Sequence, residues 1–490
     1  MDGTLNKPAT SVIDTAILLT SSGVFNLGES PKVGDPSALT TVGGLTLFQR
    51  AILTLQRAGI SQIWVLAGTE EKRLRAMIQE DGRIQAAIRW LPIREFPPTD
   101  PQTWEALAGE VKGSCLIIGC QTVFSTSLVQ SLRMVGTDGR ALLVVGRAKE
   151  NQHTDNPGVV FQEEANPETL NTPVVFLDHP DEGVKKSTEF IRQTASFTAG
   201  DMVMLPSRLL GVSGVLHTRG CNPLRLALEQ AAIEGIIQPV PTASSQFRDV
   251  RGPHGVQIAE RSLYQSLQSL KGGMDGLVDR YVNRKFSGIF TRLFLKLGLT
   301  PNMITMVSMV LGLIAAGFFA VGSYQLGVIG ALLFQLSVII DCCDGEVARL
   351  TFSESRFGQE LDIWADNVVH MAIFAGIASG AYLHGPWEGM SLPLWLGLCA
   401  VVANMVSLWL VNRARFLRSR PQELQRLDES TRSRIEFLLS NVTNRDFSVI
   451  ILAFACFNIL GWFLLIAAFG AWVFIAALGW VLRQSLLPRA

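Results

Sequence analysis

Charge is scarce in this chain. Of its 490 residues, 17% are Asp, Glu, Lys or Arg, against about 25% in an average soluble protein. Hydrophobic residues make up 48% and the mean hydropathy is +0.29, which argues against a wholly soluble protein and for a membrane section. Net charge is missing too, since 42 basic and 42 acidic side chains cancel. No global field then draws in nucleic acid, and no nucleic-acid partner is expected. The seven cysteines (115, 120, 221, 342, 343, 399 and 456) show neither CxxC nor Cys/His ligand spacing, which excludes a disulfide framework and a zinc site and leaves reduced or buried thiols. His153, His179 and His254 are scattered and read as surface residues. No basic, then apolar, then small-residue pattern opens the chain, so a cleaved secretory signal is not expected and the N-terminal half is placed in the cytoplasm.

What is present divides in two. Over residues 15–270 short β-branched runs, "TAILLT", "QIWVLAG", "SCLIIG", "ALLVVG" and "PVVFL", alternate with helical patterns, and this alternation predicts a parallel α/β sheet. In "TLFQRAILTLQRAG", Leu47, Ala51, Leu55 and Ala58 share one helical face and Gly59 ends the helix. In "DGLVDRYVNRKFSGIFTRLFLKLG", Ile289, Phe290, Leu293, Phe294 and Leu297 form a stripe among Arg284, Lys285, Arg292 and Lys296. That pattern predicts a helix in the membrane interface, with an ordinary amphipathic docking helix as the competing reading.

From Met303 onward, apolar runs near the roughly 20 residues of a spanning helix recur about six times: 303–322, 324–341, 362–383, 392–412, 446–461 and 463–482, the last two divided at Gly461. The 412–446 connection holds Arg413, Arg415, Arg418, Arg420, Arg426, Arg432, Arg434 and Arg445, whereas "VGSYQ" and "LHGPWEGMSLP" hold no Lys or Arg. By the positive-inside rule the arginine-rich loop is cytoplasmic. An even number of spans puts both termini and the 342–361 segment on that side.

Four aspartates interrupt the apolar half. Each costs about 3 kcal/mol at the centre of a span, so Asp341, Asp344, Asp362 and Asp366 need compensation. Asp341 and Asp344 are three apart and Asp362 and Asp366 four apart, so each pair shares a helix face. A loop over 345–361, with Gly345 and Gly358 near its ends, would let the two helices run antiparallel and bring the pairs together. Carboxylates without His or Cys form an all-oxygen site suited to Mg²⁺ or Mn²⁺, with two ions plausible. Such a site clamps a diphosphate and activates a hydroxyl. A polar seam with Arg349 and Arg356, or the ion path of a transporter or receptor with a cytosolic sensor domain, stands as the alternative.

The residues fit DxxDGxxAR, eight residues, then GxxxDxxxD, through Asp341, Asp344, Gly345, Ala348, Arg349, Gly358, Asp362 and Asp366. With "LTPN" at 299–302, this resembles the CDP-alcohol phosphotransferase family over about 275–490. The resemblance implies that Asp341, Asp344 and Asp362 hold metal, with Asp366 a further ligand and the general base. Gly345, Ala348 and Gly358 would leave room for the cytidine nucleotide, and Arg349 would face phosphate or brace the carboxylates. The acceptor oxygen would attack the β-phosphorus of a CDP-alcohol, CMP would leave, and a phosphodiester would form. Arg356 and Arg445 are candidates for an acceptor phosphate; topogenic charge is the competing reading for Arg413 and Arg415. The family implies a homodimer in a bilayer.

"DGEVAR" with "DGLVDRYVNRKFS" resembles the branch in which an inositol-phosphate cytidylyltransferase is fused to a di-inositol phosphate synthase. In the front half, "PSALTTVGGLTLFQRAILTLQRAGISQIWVLAG" resembles a sugar-phosphate nucleotidyltransferase, whose Gly-rich loop after the first strand cradles triphosphate. Here "LLTSSGVFNLGES" lacks the tight glycine spacing. The family's lysine falls on Ser37, its metal aspartates on Cys120 and Arg251, and Asp249 keeps the neighbouring position. The expected organisation is a degenerate nucleotidyltransferase-like (Rossmann-like) domain at 1–270, an interfacial linker at 271–298 and an all-α polytopic membrane domain at 299–490. A bifunctional enzyme that makes its own CDP-inositol is the alternative.

Overall fold

A computed structural model describes residues 13–28, 34–135, 139–147, 156–160, 175–177, 197–212, 222–252, 254–269, 284–384, 387–418 and 447–486. The chain divides into two compact units, Met1–Ser266 and Leu267–Ala490.

Among its described residues the N-terminal unit is built on a nine-stranded sheet. Thr15–Leu19 lies at its centre, parallel to Gln62–Ala67 on one side and Ser114–Gly119 on the other. Ala87–Pro92 continues the parallel run beyond Gln62–Ala67. The sheet is mixed, which corrects the all-parallel expectation: the long strand Phe197–Pro206 runs antiparallel to both Ser114–Gly119 and Ala141–Arg147. Strand alternation explains the uninterrupted apolar runs. Ala16 and Leu18 point into one buried cluster, Ile17 and Leu19 into another on the opposite face. The sheet is therefore covered on both sides.

Local sequence fixes the helices that cover it. Leu47–Arg57 begins at a capping box in which Thr46 Oγ1 accepts from the Gln49 N–H and the Gln49 side chain reaches back to Thr46 N–H. The stripe Leu47, Ala51, Leu55 and Ala58 is fully buried, as its spacing predicts. Pro101–Glu110 and Pro223–Ile233 each start with Pro after a capping Asp100 or Asn222.

Among the described residues of the C-terminal unit, five helices are long and apolar enough to cross a membrane, and a sixth, Phe447–Cys456, is shorter. The long ones are Pro301–Val321, Tyr324–Leu350, Arg356–Leu383, Leu392–Arg418 and Leu460–Leu486. The break between the last two apolar helices falls at 457–459 rather than Gly461. Asn458 takes the left-handed conformation there at φ 58°, which Asn tolerates better than most residues, and Gly461 sits inside the final helix.

"LTPN" is a helix start: Thr300 Oγ1 accepts from Met303 N–H and Pro301 occupies the first helical position, where no N–H is needed. Gly322 ends the same helix at φ 78°. The Pro301–Val321 and Arg356–Leu383 helices pack through glycines. A Cβ on Gly376 would stand 2.3 Å from the Ala316 carbonyl oxygen, and one on Gly380 2.1 Å from that of Phe319. Small residues let helix backbones approach where lipid supplies no hydrophobic drive.

The amphipathic stretch forms Arg284–Lys296. Ile289, Leu293 and Leu297 of its stripe are exposed while Phe294 is buried against Ile304, Ile340 and Val347. The stripe is split, one edge docking on the bundle and the other left uncovered.

Candidate active site

The connection between the second and third long helices is shorter than expected. The helix Tyr324–Leu350 continues through Gly345, so the loop is 351–355 rather than 345–361. A mid-helix glycine costs only about 1 kcal/mol, too little to end a helix that the residues on both sides continue. The chain turns at Phe352, which has φ 55°, and restarts where Ser355 Oγ accepts from Gly358 N–H at 2.9 Å.

The short connection joins two helices that each pack against Pro301–Val321, and the four aspartates lie on those two helices. Asp341 lies about 26 Å along a helix that begins at Tyr324. Asp362 and Asp366 fall in the first turns of the next helix. The cost of the acids is offset by their meeting one another and by hydroxyl partners from a neighbouring helix. One ligand oxygen from each of Asp341, Asp344 and Asp362 lies within 4.8 Å of the others.

The first long helix supplies hydroxyls that orient this group. Thr305 Oγ1 donates to Asp344 Oδ2 at 2.5 Å, and Ser308 Oγ lies 3.2 Å from Asp341 Oδ1. Ser337 Oγ donates to the Ser308 carbonyl at 2.8 Å. Thr305, Ser308 and Ser337 were not singled out in the sequence, although Thr305 and Ser308 lie three apart on one face of an otherwise apolar run. A cavity of about 20 Å³, lined by Ser308, Ser337, Asp341, Asp366 and His370 among others, lies beside the cluster. It has room for about one water and is shared by Asp366 and Asp341; Asp366 is not one of the three clustered carboxylates.

Arg349 folds back over Gly345, with Nη1 3.2 Å from where a Cβ would stand, and a Cβ on Gly358 would lie 3.0 Å from Asn302 Oδ1. Ala348 is one residue before Arg349 on the same helix. Glu346, unassigned by the sequence, accepts from Ser287 Oγ at 2.8 Å and Thr291 Oγ1 at 2.7 Å. It ties the amphipathic helix to the motif helix. Arg356 opens the third long helix and is exposed. Arg445 and the side chains of Arg413 and Arg415 lie outside the described residues, as do His153 and His179; His254 is exposed.

Among its described residues the C-terminal unit thus combines five helices long and apolar enough to cross a membrane with an acidic, all-oxygen cluster. Residues 298–474 match the CDP-alcohol phosphatidyltransferase family, and the C-terminal half of the chain is a domain of that family. The protein is accordingly an enzyme that transfers a substituted phosphate group and forms a phosphodiester.

Among curated proteins, the chain is 23% identical over 454 residues to the bifunctional IPC transferase and DIPP synthase of Aquifex aeolicus (strain VF5), covering 92% of this chain and 93% of that one. It is 32% identical over 151 residues to the protein of the same name from Thermococcus kodakarensis, covering 31% and 33% of the two chains. A phosphatidylinositol phosphate synthase from Mycobacteroides abscessus is 29% identical over 135 residues, 27% of this chain and 59% of that one. Among solved structures, the inositol-1-phosphate CTP transferase from T. maritima aligns with 52% of this chain and 97% of its own at 12% identity and TM-score 0.37.

In the N-terminal unit the three substituted positions have distinct surroundings. Ser37 Oγ accepts from Leu39 N–H at 3.2 Å, an ordinary turn contact. Cys120 is fully buried in the core, and burial pushes its thiol well above the usual range. Arg251 lies between two carboxylates. It donates to Asp249 through Nε at 3.0 Å, pairs with Asp249 through Nη2, and approaches Asp201 Oδ2 at 2.5 Å. Burial pushes the Asp201 carboxyl up to about 6; Arg251 pulls it down and Asp249 pushes it up.

Proposed function

We propose that the C-terminal domain transfers a phosphoryl-alcohol group from a CDP-alcohol to an acceptor hydroxyl at the aspartate cluster, with Mg²⁺ or Mn²⁺ bound. The observation that carries this reading is the convergence of Asp341, Asp344 and Asp362 within 4.8 Å. The donor set is all carboxylate oxygen, which suits these hard cations. Bound there, two ions would neutralise the diphosphate and withdraw charge from the transferring phosphorus.

The chain's own residues divide the remaining work. Thr305 and Ser308 hold the Asp344 and Asp341 carboxylates in place, as outer partners of ligands do. Asp366, one helical turn beyond Asp362 and lining the same cavity as Asp341, takes the proton from the acceptor hydroxyl. The freed oxygen attacks the β-phosphorus, the bond to CMP breaks, and CMP leaves. Arg349 and Arg356 supply cations beside phosphate, with Arg445 as a further candidate. Gly345, Ala348 and Gly358 offer small surfaces to the nucleotide.

The names of the relatives support an inositol phosphate as acceptor and either CDP-inositol or a CDP-lipid as donor. The arginine-rich 412–446 connection supports a multi-pass protein of the cytoplasmic membrane with site and N-terminal unit facing the cytoplasm. A homodimer is part of the reading. The test is CMP release by full-length protein in detergent with Mg²⁺ or Mn²⁺, screening CDP-diacylglycerol and CDP-inositol against polyols and polyol phosphates, beside Asp366→Asn. Metal-dependent release lost in the variant supports the reading; equal release from the variant removes Asp366 as base.

A second reading adds CDP-inositol synthesis in the N-terminal unit. It follows from the alignment over 92% of this chain with a protein described as bifunctional, and pyrophosphate release from CTP decides between it and an N-terminal unit that does not turn over CTP.

A further inference from the structure

Nucleotides bind α/β sheets outside the carboxyl ends of the strands, with phosphates on loop N–H groups. In this chain the loop after the central strand Thr15–Leu19 has its N–H groups turned to a side chain of the protein itself. Val24 N–H donates to Asp201 Oδ1 at 3.1 Å, and the Phe25 N–H also bonds this carboxylate. Asp201 is wholly buried in the middle of Phe197–Pro206, where the ladder with Ala141–Arg147 slips between Ala199 and Val203. The carboxylate fills the loop so completely that a Cβ on Gly23 would stand 2.2 Å from Asp201 Oδ2, and one on Gly119 would be 3.3 Å from it.

The cation place is filled as well. Arg251 is 9% exposed, and its guanidinium faces Asp249 and Asp201. Its Nη2 donates to Asn156 Oδ1 at 3.0 Å, and Nη1 donates to Asn26 Oδ1 at 3.1 Å once that amide is turned oxygen-inward. A planar, permanently charged group with several fixed donors thus meets carboxylate and amide oxygens on several sides, the donor set that a hard divalent cation would otherwise take. The residues present do not fit a metal there, because a second cation would face the guanidinium at contact distance.

We propose that the N-terminal unit carries a self-occupied nucleotide site, with the Asp201 carboxylate on the loop amides in place of a phosphate and the Arg251 guanidinium among the carboxylates in place of a divalent cation. The unit then does not turn over CTP. Given the phosphotransfer reading above, on which this consequence rests, the CDP-alcohol is supplied by a separate cytidylyl transfer. In that reaction a phosphate oxygen of an alcohol phosphate attacks the α-phosphorus of CTP, the α–β anhydride bond breaks, and pyrophosphate leaves.

The test uses full-length protein in detergent and three readouts. Hydrogen exchange of peptides covering 15–26 and 197–206 is compared with and without millimolar CTP and Mg²⁺. Pyrophosphate release is followed with CTP, Mg²⁺ and a panel of polyol phosphates that includes inositol 1-phosphate. CMP release is followed from supplied CDP-inositol and CDP-diacylglycerol. The expected result is unchanged exchange and no pyrophosphate in a sample that releases CMP. Protection of either peptide by CTP, or pyrophosphate formed in proportion to protein, overturns the proposal and leaves the phosphotransfer reading intact. Absence of CMP from every donor counts against phosphotransfer alone, since the CTP readouts do not depend on it.

Discussion

Replacing Arg251 with Met removes the cation that, among the described residues, is paired with Asp201 and Asp249, which are 0% and 6% exposed. Methionine fills much of the volume without charge, so the loss is electrostatic. Breaking a buried pair by removing one partner costs about 3–5 kcal/mol, a large share of the roughly 5–15 kcal/mol that holds a domain together. On the full-length chain this is read as hydrogen exchange of Phe197–Pro206 and Ser114–Gly119, strands at the heart of the sheet. With about 1.4 kcal/mol per tenfold, protection falls about 10²- to 10⁴-fold.

The loss depends on pH with a defined sign. Asp201 has its folded value raised to about 6 from an ordinary 3.8, chiefly by burial. Its contribution to stability is therefore full below the unfolded value and is lost as pH rises through the folded one. Without Arg251 the folded value climbs further, so Arg251→Met does more damage at about pH 8 than at about pH 5. Asp201→Asn added to Arg251→Met removes the buried charge that the first change strands, and restores part of the protection. Unchanged exchange in Arg251→Met at the higher pH, or a double variant no better than the single one, refutes the reasoning.

Chelation with EDTA abolishes CMP release and added Mg²⁺ or Mn²⁺ restores it; release that survives chelation removes the metal from the mechanism. Thr305→Val leaves Asp344 without its hydroxyl donor and weakens metal activation about 10- to 100-fold, read as the Mg²⁺ concentration for half-maximal CMP release. Gly376→Val drives side-chain atoms into the Ala316 carbonyl and lowers stability of the bundle by about 1–3 kcal/mol, read as thermal unfolding in detergent. Glu346→Ala removes the carboxylate that accepts from Ser287 and Thr291 and loosens the Arg284–Lys296 helix, so proteolysis within 284–298 is expected to speed up with little change in the sheet.

Much of the fold was legible because it rests on short-range pattern. The runs "TAILLT", "QIWVLAG", "SCLIIG" and "ALLVVG" became strands where they stand, and the Leu47, Ala51, Leu55, Ala58 stripe became a buried face. The acidic cluster was legible for the same reason: three- and four-residue spacing fixes which side of a helix a carboxylate takes. The hairpin length was not, because glycine suggests a break and only packing decides whether a helix runs through it, as at Gly345. The antiparallel direction of Phe197–Pro206 was also hidden, since an apolar run carries no sign of which way it will pair.

By itself, then, the sequence determined the two-part organisation into α/β and apolar helical halves and the set of carboxylates able to meet, since periodicity and burial preference are local properties. Tertiary structure decided which groups serve them. Thr305 and Ser308 reach Asp344 and Asp341 from a different helix, Ser287 and Thr291 reach Glu346 from another, and Asp201 meets Arg251 across fifty residues of chain. Such contacts follow from how elements pack rather than from any spacing along the chain, and they determine whether a carboxylate is held out to a ligand or already paired within the protein.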